Sequence, residues 1–324
     1  MNKFYFLLLA MILFACDDVI DDSTSEEGNW IRKSSFEGVG RSNPVVFTVE
    51  DKAFVGLGFD GDNFLIDFWV YDPDLNFWKR IADFPGQART SAVAFSIGNK
   101  GYVGTGYNEE GELSDFYVYD VDADSWSRIA DFGGGPRYES VAYSLGDNGY
   151  VGAGYNGNYL KDFWKYNPTN DSWDQIISIK GEKRMAANSF VIDGNAYIVT
   201  GSNNGILESD FWQYNPESVD WFELADLYED EDYSKVRENG VAFALNGYGY
   251  LTTGNNGANL KSTYEYNPID DTWKEKTSFE GVERQGAIGF TVKGRSFVGL
   301  GRNSSLRFDD IWEFIPFEEY NDED

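Results

Sequence analysis

The side chains of this chain that could do chemistry are carboxylates and arginines. The sequence has 55 acidic and 26 basic residues, no histidine and one cysteine, Cys16. Without histidine it lacks the usual general base, the partner of a serine or cysteine nucleophile, and the commonest transition-metal ligand. A single cysteine cannot form an intrachain disulfide. These two absences exclude more chemistry than any motif in the chain supports.

Arginine recurs along the chain at a nearly constant interval. At two of these positions the following residues are singular, because Tyr138-Glu139 follows Arg137 and Glu238 follows Arg237. A ring of arginines facing a ligand is one interpretation. Sixfold recurrence favours the other, a structural ion pair between each arginine and the recurring aspartate of a neighbouring blade. The repeated residues are Arg41, Arg89, Arg137, Arg184, Arg237 and Arg284, and Asp67, Asp115, Asp162, Asp210 and Asp310.

One aspartate-rich stretch suggests a calcium loop. Asp120, Asp122 and Asp124 place oxygen atoms at alternate positions. The glycine and the distal glutamate of a calcium loop are missing, however. We therefore predict no metal and no cofactor.

A period of about 48 residues positions all these side chains. The tryptophans Trp30, Trp78, Trp126, Trp173, Trp221 and Trp273 are spaced 48, 48, 47, 48 and 52 residues apart. The longest interval contains an acidic insertion, 226–236, which we interpret as a solvated loop. Such a period is the signature of a repeat architecture.

Each period predicts four short strands separated by turns. In the third unit the strands are SVAYSL (140–145), GYVGAG (149–154), DFWKYN (162–167) and SWDQII (172–177). Four strands make one blade, and blades repeated radially make a β-propeller. The sequence therefore predicts an all-β fold.

The order of motifs in each unit resembles the kelch repeat. An arginine precedes an aromatic-aliphatic-glycine strand, then an aromatic-x-Tyr-[Asp/Asn]-Pro segment and a tryptophan. The spacing of the glycines departs from adjacent kelch glycines, as at Gly104 and Gly106. The resemblance covers residues 29–316 and implies a six-bladed kelch-type propeller. The last unit ends after its third strand, and 30–41 closely match 273–284, so we predict that the N-terminal strand completes the sixth blade and closes the ring.

The loops between the second and third strands vary from unit to unit. They should share a face with the arginine connections, and kelch proteins generally bind ligands on that face. Their aromatic and amide groups could stack on a sugar or peptide and hydrogen-bond to it, although Asn-Gly also builds plain tight turns. The candidate ligand-binding residues are Tyr107, Asn108, Arg137, Tyr138, Glu139, Tyr155, Asn156, Tyr159, Asn203 and Asn255.

The N-terminal residues predict export and lipidation. An apolar run, Phe4–Phe14, follows Lys3 and is too short to span a bilayer. The sequence Leu13-Phe14-Ala15-Cys16 resembles the lipobox of bacterial lipoproteins, which implies a signal peptide over 1–15 and a lipid on Cys16. An ordinary secretory signal is the alternative. The acidic segment 16–28 has a composition typical of a flexible tether. Within it, Asp17-Asp18 resembles the export signal of surface lipoproteins in Bacteroidetes. We thus expect an outer-membrane, cell-surface lipoprotein with an acidic tail, 317–324.

Charge and residue types leave three functional hypotheses. A net charge of −29 excludes nucleic acid as a partner, and membrane contact other than through the lipid. We predict a monomeric, non-catalytic propeller that binds a glycan or a protein. The copper chemistry of galactose oxidase is excluded, because it needs histidine ligands. A metal-independent sugar epimerase or mutarotase of the kelch type, using Arg137 and Glu139, is an alternative, and a structural subunit of an envelope complex is another.

Overall fold

The chain folds into six antiparallel four-stranded sheets, the blades of a propeller. The computed structural model describes residues 27–228, 232–321 and 323, and contains no helix among them. The strands of blades one to three are Val45–Val49, Lys52–Gly56, Phe68–Asp72 and Phe77–Ile81; Val93–Ile97, Lys100–Gly104, Phe116–Asp120 and Ser125–Ile129; and Val141–Leu145, Asn148–Gly152, Phe163–Asn167 and Ser172–Ile176. Those of blades four to six are Asn188–Ile192, Asn195–Val199, Phe211–Asn215 and Asp220–Glu223; Val241–Leu245, Tyr248–Thr252, Thr263–Asn267 and Thr272–Lys276; and Ile288–Val292, Arg295–Gly299, Ile311–Glu319 and Glu27–Arg32.

Short two-stranded ladders extend the loops between the second and third strands in three blades. They are Tyr107–Asn108 with Gly111–Glu112, Ser202–Asn203 with Ile206–Leu207, and Arg302–Asn303 with Leu306–Arg307. No part of the described chain forms a helix with the length and hydropathy that crossing a membrane requires.

The N-terminal strand closes the ring, as predicted. Glu27–Arg32 lies antiparallel to Ile311–Glu319, with Trp30 opposite Phe314. This strand begins at Glu27 rather than at residue 29, and Glu27 forms ion pairs with Lys274 and Lys276 of blade five. Its partner strand continues through Pro316 to Glu319. The N-terminal strand is thereby joined to the last repeat along its length, with one irregularity between Glu27 and Asn29.

The core lies between blades and is largely aromatic. Phe95 of blade two reaches Gly149 of blade three so closely that a Cβ there would lie 2.1 Å from its ring. Phe47 approaches Gly101 in the same way. Glycine is therefore required at these sites for one blade to pack on the next. The Gly-x-Gly pairs act differently, because Gly104 accommodates Phe116 of its own blade.

Hydrogen bonds at the turn between the third and fourth strands also join neighbouring blades. In blade three, Asp171 accepts hydrogen bonds from the Ala130 backbone N–H at 2.9 Å and from the Tyr166 hydroxyl at 2.9 Å. Trp173 Nε1 donates to the Ala130 carbonyl at 3.3 Å. Blade two repeats the arrangement with Asp124 and Trp126. The aromatic and acidic residues of these segments are thus occupied in holding the blades together.

Candidate functional site

Five of the six repeated arginines are buried in ion pairs. Each lies beside the repeated aspartate of its own repeat, with nitrogen–oxygen distances of 2.5–2.8 Å, and none is more than 1% exposed. Burial alone would raise the pKa of Asp67, but the hydrogen bonds and charge of Arg41 outweigh it, so this pKa lies below its usual value. Arg137, a predicted ligand-binding residue, is held in this way by Asp162. Both terminal nitrogens of Arg137 are occupied and the residue is 1% exposed, so it offers a ligand no accessible group, although its Nε has no hydrogen-bond partner among the described residues.

Blade five breaks this pattern. Ser262 replaces the aspartate, and Arg237 donates to its hydroxyl at 3.0 Å and to the carbonyls of Thr253, Ser262, Ser234 and Lys235. Burial therefore lowers the pKa of Arg237 to about 10. The guanidinium is fully hydrogen-bonded, but no carboxylate among the described residues forms an ion pair with it.

Six residues, one per repeat, form a ring of backbone hydrogen bonds around the central channel. Each N–H donates to the carbonyl of the equivalent residue in the preceding repeat at 2.8–3.1 Å, and the first repeat donates to the last. All six have positive φ, from 50° to 61°, which is costly for residues other than glycine. We call these residues the inner ring: Asn43, Ser91, Glu139, Ala186, Asn239 and Gly286.

Glu139 is the one charged residue of the inner ring. The ring residues line a cavity of ≈160 Å³ at the mouth of the channel. Glu139 Oε2 is sealed from water and has no hydrogen-bond partner among the described residues. Burial raises the pKa of this carboxyl to about 7, the charge of Glu238 adds to the rise, and the charge of Arg302 opposes it. The mouth therefore holds a carboxyl group that titrates near neutral pH.

Two further sets of residues surround the inner ring. The residue before each inner-ring position forms an isolated bridge with a residue of the same blade's second-to-third-strand loop. Both loop types thus lie on one face, as the sequence predicts. The middle ring is Ser42, Thr90, Tyr138, Met185, Glu238 and Gln285, and the outer ring is Phe59, Tyr107, Tyr155, Ser202, Asn255 and Arg302.

One half of this face is aromatic. Ring centroids follow one another at 5.0–6.3 Å through five contacts, each pair tilted or edge-on. Tyr107 is 37% exposed and the others are half-buried. Burial raises the pKa of Tyr138 to about 12, with the Glu139 charge as a second cause. We call this series the aromatic arc: Phe59, Phe64, Tyr107, Tyr138, Tyr155 and Tyr159.

The other half is polar. Glu238 accepts a short hydrogen bond from the Ser202 hydroxyl at 2.5 Å. Arg302 donates to Gln285 Oε1 at 3.3 Å, and no carboxylate of the described residues lies within ion-pair distance of it. Asn255 donates to Asn259 at 3.2 Å. A ligand at the mouth would meet ring faces on one side and donors and acceptors on the other.

The structure brings five of the ten predicted ligand-binding residues together. Glu139 and the tyrosines Tyr107, Tyr138, Tyr155 and Tyr159 adjoin one another around the aromatic half. Asn203 and Asn255 lie on the polar half, and Asn156 is exposed at the tip of the blade-three loop. Asn108 is buried, with its amide donating to Gln87 Oε1 at 2.8 Å. Sequence reasoning missed Phe64 and Arg302, and aligning the six loops on their bridge positions could have identified Arg302.

All three carboxylates of the aspartate-rich turn of blade two accept hydrogen bonds from the protein itself. Asp120 accepts from the Ala123 N–H at 3.1 Å, Asp122 accepts from the Asn99 amide at 2.8 Å, and Asp124 joins the blades as described above. Within the described part of the chain, no three acidic or cysteine side chains are grouped as a metal site would need. The turn is accounted for by its internal hydrogen bonds.

Comparisons with known proteins agree with the architecture. The family described as "KLHDC2/KLHL20/DRC7 Kelch-repeats domain" matches residues 39–190 and, in a second alignment, 83–230. A solved structure titled "Structure of YjhT" superposes with a TM-score of 0.74 over 85% of this chain and 95% of that one, at 14% identity. At that identity the likeness concerns the fold alone. No curated protein is similar to the chain in sequence.

Proposed function

The chain belongs to the Kelch-repeat family, and we propose that it binds an uncharged carbohydrate at the mouth of its central channel. The observation that carries this proposal is the division of one face into an aromatic and a polar half. Sugars present apolar C–H surfaces that stack on aromatic rings, and hydroxyls that pair with carboxylates, amides and guanidinium groups. Both kinds of partner lie in the middle and outer rings, next to the inner-ring residues that line the cavity.

Glu139 gives the site a requirement for a hydrogen-bond donor. A carboxyl oxygen that is buried without a partner is unfavourable, and a ligand hydroxyl would satisfy it once the side chain turns towards the cavity that Glu139 lines. The net charge of −29 further disfavours anionic ligands. A neutral, hydroxyl-rich ligand fits both conditions.

Binding is tested with the purified full-length chain on a glycan array, followed by calorimetry with any neutral glycan retained. We expect Tyr107→Ala and Tyr155→Ala each to weaken binding about fivefold, since a stacked ring contributes on the order of 1 kcal/mol. Phe77→Ala is the matched control, because Phe77 is an exposed aromatic residue at the start of a fourth strand, outside the aromatic arc. Equal losses in the control and in the arc variants would contradict the proposal.

A second candidate function is sugar epimerisation or mutarotation at the same mouth. The near-neutral pKa of Glu139 favours it, because such a group can both accept and return a proton at physiological pH. Arg137 would take no part, since Asp162 occupies it. Turnover of any sugar that Glu139→Gln abolishes while binding survives would establish this function in place of simple binding.

We further propose that a lipid on Cys16 holds the propeller at the outer membrane, facing the cell surface. Cys16 and the predicted signal peptide and tether up to residue 26 lie outside the described residues. Ten residues separate Cys16 from Glu27, which permits a distance of at most about 35 Å between lipid and propeller. A binding site so placed would sample glycans close to the membrane.

A further inference from the structure

A second cavity lies at the rim of the same face, between the loops of blades one and two. It measures ≈370 Å³, more than the cavity at the channel mouth. Loop 59–66 forms one wall, and the loop that follows Tyr107 forms the other. The residues that line it include Asp62, Asn63, Phe64, Gln87, Asn108 and Glu110.

The walls of this rim cleft are organised by their own hydrogen bonds. The buried amide of Asn108 donates to Gln87 Oε1 at 2.8 Å, and Gln87 donates to Glu110 at 3.3 Å. On the facing wall, Asp60 accepts from the backbone N–H groups of Asp62 and Asn63 at 2.8 and 2.7 Å. The cleft therefore does not depend on a ligand for its shape.

The aromatic arc connects the rim cleft to the channel mouth. Phe64 lines the cleft, and its ring lies 6.3 Å from that of Tyr107. Tyr107 in turn lies 5.2 Å from Tyr138, the residue before Glu139. A continuous path thus runs from the buried carboxyl to the edge of the propeller. Blades four to six offer no such path, because their outer-ring residues are Ser202, Asn255 and Arg302.

We infer that the ligand is an oligosaccharide whose successive units occupy the mouth, the arc and the rim cleft. This inference rests on the carbohydrate binding proposed above. A single sugar would fill the mouth alone and leave Phe64 and the cleft unused. The cleft lining contains Asp62, Glu109 and Glu110 and no lysine or arginine. These carboxylates would repel a chain of uronic-acid or sulfated units, so we infer that the oligosaccharide is neutral.

The test measures affinity against chain length with the purified full-length chain. The probes are neutral malto-, cello-, xylo- and manno-oligosaccharides from the monosaccharide upward, and oligogalacturonates as the anionic series. We expect the affinity for at least one neutral series to rise about tenfold or more between monosaccharide and oligosaccharide, and oligogalacturonates to bind more weakly.

Two variants locate the added affinity. Phe64→Ala should reduce the affinity for the long neutral probe about tenfold and the affinity for the monosaccharide much less, because Phe64 lies at the cleft end of the aromatic arc. Asn63→Ala, at an exposed position, should reduce long-probe affinity severalfold and keeps the test valid if Phe64→Ala does not fold. Asn256→Ala, on the equivalent loop of blade five, is the control and should change neither affinity.

The outcomes separate the two proposals. Equal affinity for all lengths of a neutral series, or losses in Phe64→Ala that are the same for monosaccharide and oligosaccharide, would refute the extended site while leaving carbohydrate binding intact. Tighter binding of oligogalacturonates would refute the charge argument for the cleft. Failure of every sugar of every length would refute both.

Discussion

Replacement of Glu139 by glutamine should stabilise the protein at neutral and higher pH, before any ligand is known. The native protein holds this carboxyl where its pKa rises from 4.5 to about 7. Between these pH values the native state therefore binds more protons than the unfolded state does. The stabilisation that protonated Glu139 provides is complete below pH 4.5 and is lost as the pH rises through 7. Glutamine keeps the shape and cannot ionise.

The size of the effect follows from the pKa difference. Each pKa unit corresponds to about 1.36 kcal/mol, so the difference between 4.5 and about 7 is worth roughly 3 kcal/mol as an upper limit. Because Glu139 is half-buried rather than fully enclosed, we expect about 2 kcal/mol. For a domain of this size that is about 4–8 °C in Tm.

Thermal unfolding of the wild-type and Glu139→Gln chains should be followed by circular dichroism from pH 4 to pH 8. The two Tm curves should coincide near pH 4 and separate as the pH rises, with the variant the more stable. Glu217→Gln, at an exposed turn, is the control and should follow the wild type. A Glu139→Gln curve that stays parallel to the wild type at all pH values would show that the carboxyl is not buried as described.

Three further predictions concern the scaffold and the anchor. Ser262→Asp should supply a counter-charge to Arg237 and raise Tm by roughly 4 °C. Asp115→Ser, which removes such a counter-charge from Arg89, should lower the free energy of unfolding by about 3 kcal/mol. A lower Tm for Ser262→Asp would contradict the inference that Arg237 lacks a carboxylate partner. Trp30→Ala should destabilise the closed ring by about 3–5 kcal/mol, seen in urea unfolding, because Trp30 is fully buried between the terminal strand and blade five; an unchanged midpoint would refute its part in closure. Cys16→Ser should move the chain from the detergent phase to the aqueous phase in phase partitioning, and retention of the variant with detergent would refute lipid anchoring at that residue.

The period of the sequence was sufficient to predict the blades and the closing strand. Each blade contacts the next through the same aromatic and glycine positions, so the repeated residues carry the architecture. Repetition also separates scaffold from site, and this reasoning led to Tyr138 and Glu139, which do lie at the mouth. It also favoured ion pairs for the arginines over a ligand-facing ring, although it assigned each aspartate to a neighbouring blade rather than to the same repeat.

Two features of the site could not be predicted from sequence. The burial of Glu139 Oε2 depends on contacts among residues of several repeats around the channel, and no local pattern encodes it. The path from Tyr107 to Phe64 depends on the distance between two loops that belong to different blades. Arg137 stood beside Glu139 in sequence and was paired with it in the enzyme hypothesis. In space the strongest partner of Arg137 is Asp162, so sequence adjacency was misleading.

The inner ring of backbone hydrogen bonds also fixes the number of repeats. In a solenoid, terminal units have a free side, so one can be gained or lost without disturbing the rest. Here every repeat is followed by another, and the first donates to the last. Loss or addition of one repeat would change the angle between all the others, because the first repeat must still donate to the last. Change in this protein is therefore confined to the residues at each position, as Glu139 and Ser262 illustrate, while the count of units stays constant.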